Sequence, residues 1–153
     1  MINVRKGNGQ IRVECNYSRA FVKKAHELGG NWESPEWVFN EKVEDSLRKA
    51  LLDLYGEDGV EDPHYVVVRF PARAFTNESE IIIDGYQIAK RFSRDDEVKI
   101  TADDAFVYSG GFRDFGGSSQ HPTINAKDNT VIQAVIPKLM YERHAGEMTL
   151  VKG

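Results

Sequence analysis

The chain has 153 residues, 41% of them hydrophobic and 29% charged, with a net charge of −4; this suits one globular domain or two small ones. No apolar run approaches the ~20 residues that cross a bilayer, and Met1-Ile2-Asn3-Val4-Arg5-Lys6 has no signal-peptide core, so a cytoplasmic protein is expected. The single cysteine, Cys15, excludes an internal disulfide framework and a cysteine-rich zinc site.

The charge is spread unevenly. Residues 1–40 carry six basic and four acidic side chains, residues 41–62 three and eight, and residues 63–153 eleven and twelve. A nonspecific coat on nucleic acid is basic throughout, so any nucleic-acid contact here has to be local. In chain order, Ile2–Lys6 and Gln10–Glu14 alternate around Gly7-Asn8-Gly9, which predicts a β-hairpin. Ser18 is a good N-cap for a helix over 19–28. In it Phe21, Ala25 and Leu28, with Val22 beside them, form the buried stripe. Arg19, Lys23 and Lys24 project elsewhere.

Gly29-Gly30 ends that helix, since glycine adopts the left-handed conformation without steric cost. Trp32 and Trp37 then flank Pro35 in a short hairpin, and alternation sets Trp37 and Phe39 on one face with Val38 on the other. Asn40 caps a second helix over 41–55, with Val43, Leu47, Leu51 and Leu54 at helical spacing and Gly56 as its stop. The order predicted for 1–56 is ββαββα. The acidic Gly/Pro segment 57–63 reads as a linker.

From residue 64 the pattern changes to strands. Tyr65–Phe70, Ile81–Ile83, Tyr86–Ala89, Val98–Ile100, Ala105–Tyr108, Thr130–Val135 and Met148–Val151 are candidates, with Asp84-Gly85 as a hairpin turn. No helix comparable to the first two is expected there. The fold class is therefore α+β, an N-terminal ββαββα module followed by a mainly antiparallel β sandwich or barrel.

Val13-Glu14-Cys15-Asn16-Tyr17, Phe21-Val22-Lys23-Lys24-Ala25, Leu28-Gly29-Gly30-Asn31-Trp32 and Trp37-Val38-Phe39 together resemble a HARP-type module, the small DNA-binding domain that accompanies the motor of annealing helicases. The resemblance covers residues 10–56 and rests chiefly on Gly-x-Trp followed by Trp-x-Phe. It implies a DNA-binding module, and no motor or Walker-type loop accompanies it. The second half, with Ser109-Gly110-Gly111-Phe112 and Gly116-Gly117-Ser118-Ser119, is similar to short proteins of mobile elements, which implies no activity.

Candidate nucleic-acid contacts are Arg12, Arg19, Lys23 and Lys24 toward phosphates and Trp32 toward a base. The competing reading puts both tryptophans in the core, because a small module needs large aromatics to fill it. The stretch 109–122 is a long irregular loop, which is either functional or simply mobile. Phe112, Arg113, Phe115, Ser118, Ser119 and His121 are its candidate partner contacts, the loop ordering when the aromatics anchor and Arg113 pairs with a carboxylate or phosphate.

Catalysis is not expected. Ser118 and Ser119 near His121 lack a nucleophile elbow, and the histidines and paired aspartates miss metal-ligand spacing; no metal and no cofactor are assigned. The leading expectation is a non-enzymatic accessory protein of a phage or plasmid that binds DNA, single-stranded or forked. The alternatives are a protein inhibitor or adaptor acting on a host defence or nucleic-acid machine, and a small-molecule binder or hydrolase using the 109–122 loop.

Overall fold

Asn8 and Gly9, with φ of 54° and 76°, close the first hairpin of the computed structural model, which describes residues 2–59 and 63–153. Strands β1 (Asn3–Gly7) and β2 (Gln10–Glu14) pair up to Gly7 opposite Gln10. The loop is thus a two-residue Asn-Gly turn, one residue shorter than expected, with the backbone twist that suits strand pairing. The chain forms two units. The first holds residues 1–64 and the turn Asp84–Tyr86; the second holds 65–83 and 87–153.

In the first unit, α1 (Arg19–Glu27) starts where Ser18 Oγ accepts from the Phe21 N–H at 3.2 Å. It ends in a Schellman motif. Gly29, at φ 75°, donates to His26 O at 3.1 Å and Gly30 donates to Ala25 O at 2.8 Å, which satisfies carbonyls that the last turn leaves open. Strands β3 (Asn31–Glu33) and β4 (Glu36–Asn40) follow, joined through Ser34 and a cis Pro35. All four strands form one antiparallel sheet in the order β1-β2-β4-β3.

Asn40 Oδ1 accepts from the Lys42 N–H and caps a short 3-10 turn leading into α2 (Glu44–Tyr55), which stops at Gly56. The buried stripe of α2 is Leu47, Ala50, Leu51 and Tyr55, a slight rotation from the expected one, with Val43 and Leu54 only half-buried. Phe21 joins this core edge-on to Phe39 and Tyr55, with ring centroids 6.4 and 5.7 Å away. The turn Asp84–Tyr86 closes on the same core: Gly85 N–H donates to Leu54 O at 2.8 Å, and the Tyr86 ring lies 6.5 Å from that of Tyr55.

Of the expected linker 57–63, residues 60–62 lie outside the described residues. Its first residue, Glu57, is buried and accepts from the Ile2 N–H.

The second unit contains β5 (Tyr65–Pro71), β6 (Thr76–Asn77), β7 (Glu80–Ile83), most of β8 (Tyr86–Lys90), β9 (Lys99–Ile100), β10 (Ala105–Ser109), β11 (Val131–Pro137) and β12 (Thr149–Lys152). They are divided between two open four-stranded sheets, β10-β11-β5-β12 and β6-β7-β8-β9, so no single barrel closes. Alternation is strict in β5 and β11, where Val66, Val68, Phe70, Ile132, Ala134 and Ile136 are buried and the intervening residues are not. A short helix absent from the sequence-based expectation, α3 (Lys138–Arg143), follows β11 and buries Met140. No helix among the described residues is long and apolar enough to cross a membrane.

Candidate functional site

Cross-strand register in the first sheet puts Trp32 of β3 directly opposite Trp37 of β4. Trp37 belongs to the core at 8% exposure, whereas Trp32 is 56% exposed. The expectation that both fill the core is corrected for Trp32. It stands on the three-residue edge strand, where one side of the ring has no neighbouring strand to cover it. Val38, on the opposite face of β4 from Trp37 and Phe39, is buried as well.

The two indoles are part of an aromatic arrangement. Their ring centroids are 5.5 Å apart at 57°, and His26 of α1 meets Trp37 edge-on at 5.4 Å. Offset and edge-on contacts of this kind suit the ring quadrupoles. Trp32, Trp37, His26, Val22 and Tyr17 line a cleft of about 470 Å³, within the range of ligand pockets. Tyr17 is 63% exposed. Below it, Tyr55 donates its hydroxyl to Asn16 O at 2.7 Å, and Nδ2 of Asn16 is buried with no hydrogen-bond partner among the described residues.

Cys15 also lines the cleft. Burial pushes its thiol up to about 11, so at pH 8 the thiolate is scarce. Alkylation by iodoacetamide at pH 8 is expected to run roughly 100-fold slower than for a free cysteine, recovering steeply above pH 10. Mass spectrometry of a timed reaction checks this, and a rate near that of free cysteine contradicts it.

The candidate cations separate into two groups. Successive helical residues turn by about 100°, so Arg19 and Lys23 follow Val22 and His26 around α1 on the solvent side. Neither lines the cleft, and neither has an ion pair among the described residues. Lys24 lies on the far side of the helix with its Nζ 3.6 Å from Glu27. Arg12 stands between Glu33 and Glu36, 3.7 Å from each. Glu36 also binds Arg5 at 2.7 Å, a contact that holds its carboxyl below the usual range. Of the candidate nucleic-acid contacts, Trp32 alone lines the cleft; Arg19 and Lys23 stand on the solvent side of α1, and Arg12 and Lys24 are held in ion pairs. Tyr17 and His26 were missed; His26 follows Ser18 and Val22 at four-residue steps, a row that was visible in the sequence.

The 109–122 loop, expected to order on a partner, is already cross-tied. Phe112 bridges Ala126, and Gly117 bridges Pro122. Gly117 has φ 73°, and a Cβ there would collide with the His121 carbonyl. Arg113 Nη1 donates to Ala126 O at 2.8 Å and to Asn125 Oδ1 at 3.3 Å, which ties one end of its guanidinium to the chain. Ser118 Oγ accepts from the main-chain N–H of His121. Ser118, Ser119, His121 and Phe115 are exposed and Phe112 is half-buried.

The loop's anchor is a residue that sequence reading passed over. Arg91 is 1% exposed. Its guanidinium donates to five main-chain carbonyls, of Asp96, Gly116, Thr123, Arg94 and Asp114. Among the described residues, no group of three or more His, Cys, Asp or Glu side chains is arranged to hold a metal ion.

No protein-family model matches the chain, and neither a curated protein nor a solved structure matches it.

Proposed function

We propose that the protein binds an unpaired nucleic-acid strand, single-stranded or forked DNA, in the aromatic cleft of its first unit, as a HARP-like accessory module. The observation that carries this reading is Trp32. Its indole is 56% exposed and leans on buried Trp37, in a cleft whose α1 residues are Val22 and His26, with Arg19 and Lys23 next around that helix toward solvent. A base stacks on the exposed indole while its phosphates meet the two cations. An isolated duplex offers no free base face, so single strands and fork junctions are preferred.

The start of α1 adds electrostatic support. A helix N-terminus carries partial positive charge and favours acidic residues. The first turn of α1 has none, and Arg19 adds a cation there. A phosphate beside Arg19 relieves that excess.

Fluorescence titration with a single strand, a duplex and a fork tests the reading. Trp32→Ala is expected to weaken single-strand binding by about 1–3 kcal/mol and to leave the melting temperature nearly unchanged. Arg19→Ala with Lys23→Ala is expected to flatten the salt dependence by about 1.4 in log–log slope, roughly 0.7 for each phosphate on a single strand. Arg19→Glu separates binding from folding: binding falls while α1 gains about 0.3–1 kcal/mol from its dipole. Failure of the intact protein to bind any of the three ligands at low salt ends the proposal.

A further inference from the structure

We propose that the open face of the β10-β11-β5-β12 sheet is a second platform for single-stranded nucleic acid, on which bases stack against Phe106 and the Tyr108–Arg69 pair. Register builds this face. Phe106 lies opposite Gln133, Gln133 opposite Arg69, and Arg69 opposite Thr149, so the four form one transverse row. Residues opposite one another across strands share a face, as do residues two apart along a strand. Val67 and Val135 therefore border the row. The intervening residues Val68, Phe70, Ile132 and Ala134 point the other way and are buried.

Phe106 and Tyr108 each remain 49% exposed. The Arg69 guanidinium lies 3.6 Å from the Tyr108 ring centroid, and its Nε donates to Gln133 Oε1 at 3.0 Å. A planar guanidinium held this way is a stacking surface as well as a charge. The amide of Gln133 keeps its two N–H donors for a base edge.

Charge decides the occupant. Arg69 is on this face, and Lys152 joins it at the sheet edge opposite Val67. Asp104, two residues before Phe106 and with its carbonyl accepting from the Val135 N–H, is an acidic residue at one end of the face, where the two cations outnumber it. A polyanion with flat apolar bases suits both features: phosphates meet Arg69 and Lys152, and bases cover the rings. With only two cations, binding here depends on stacking more than on charge.

The inference shares its ligand class with the proposed function and uses a different surface, so the two are read separately. Both tryptophans belong to the first unit, and their fluorescence reports the cleft alone. Fluorotyrosine incorporated at Tyr108 reports the platform by fluorine NMR. The probes are a twelve-nucleotide single strand and the matching duplex. The single strand is expected to shift the Tyr108 resonance and the duplex to leave it in place. In a Trp32→Ala background, Phe106→Ala with Tyr108→Ala is expected to lower the remaining affinity tenfold or more. Arg69→Gln, which keeps the side-chain bulk and guards against a folding artefact, is expected to reduce the salt slope by about 0.7.

An unmoved Tyr108 resonance, or equal affinity for the platform variants, overturns the platform whatever the tryptophans report. Tryptophan quenching lost together with a shifting Tyr108 overturns the cleft and leaves the platform standing. Concentration-dependent dimerisation of the wild type, abolished by the Phe106/Tyr108 changes, reassigns the face to a second copy and also overturns the inference.

Discussion

Arg91→Lys is expected to destabilise the protein by on the order of 3–5 kcal/mol, even though the charge is kept. An arginine side chain has five N–H donors and a lysine three. All five are used here, each on a main-chain carbonyl between residues 94 and 123. An ammonium in that space leaves at least two buried carbonyls unpaired, at about 1–3 kcal/mol each, and it cannot reach in the directions a planar fork can. In a chain of this length each kcal/mol moves the melting temperature by about 2–4 °C, so a fall on the order of 10 °C follows. Thermal unfolding by circular dichroism measures it, and amide exchange localises it: Arg113, Ser118 and Thr123 should exchange much faster. A melting temperature within two degrees of wild type would show that the carbonyl cage contributes little.

Trp37→Ala is expected to cost about 3–5 kcal/mol, the range for truncating a large buried aromatic. Trp37 is 8% exposed and supports Trp32 on one side and His26 on the other. The same variant removes the back wall of the cleft, so under the proposed function a loss of nucleic-acid binding is expected together with the loss of stability. Trp32→Ala should lose binding alone. Chemical denaturation of both proteins separates the two roles, and equal midpoints for wild type and Trp37→Ala would contradict its burial.

The local signals in the first sixty residues were strong because each rests on chemistry within a few residues. Ser18 and Asn40 both cap through their side chains, Gly56 stops α2 in a left-handed conformation, and the Asn8-Gly9 turn sets the first hairpin. In the second half the alternation of β5 and β11 was equally legible. The two-residue strand β6 and the six-residue α3 are too short to show a period. Sheet position was not legible either: Trp32 and Trp37 look alike in sequence, and only strand order makes one an edge residue and the other core.

The role of Arg91 had no sequence signal. Its acceptors are backbone carbonyls up to 32 residues away, and a carbonyl belongs to every residue. The ion pairs that occupy Arg12 and Lys24 were hidden for a related reason. Glu33 and Glu36 reach Arg12 only once β4 lies beside β2, while the Lys24–Glu27 pair is a three-residue step that helical spacing allows but does not require.

The turn Asp84–Tyr86 makes the first unit discontinuous in sequence, and that governs where the chain can be cut. A fragment ending at residue 64 carries Tyr55 without the Tyr86 ring, and Leu54 without the Gly85 N–H that its carbonyl accepts. Such a fragment exposes an aromatic edge that the intact chain covers, so poor solubility after protease trimming there would reflect a missing piece of its core rather than an intrinsically weak module. A self-contained first unit needs those three residues returned to it, for instance by a short loop grafted after residue 59.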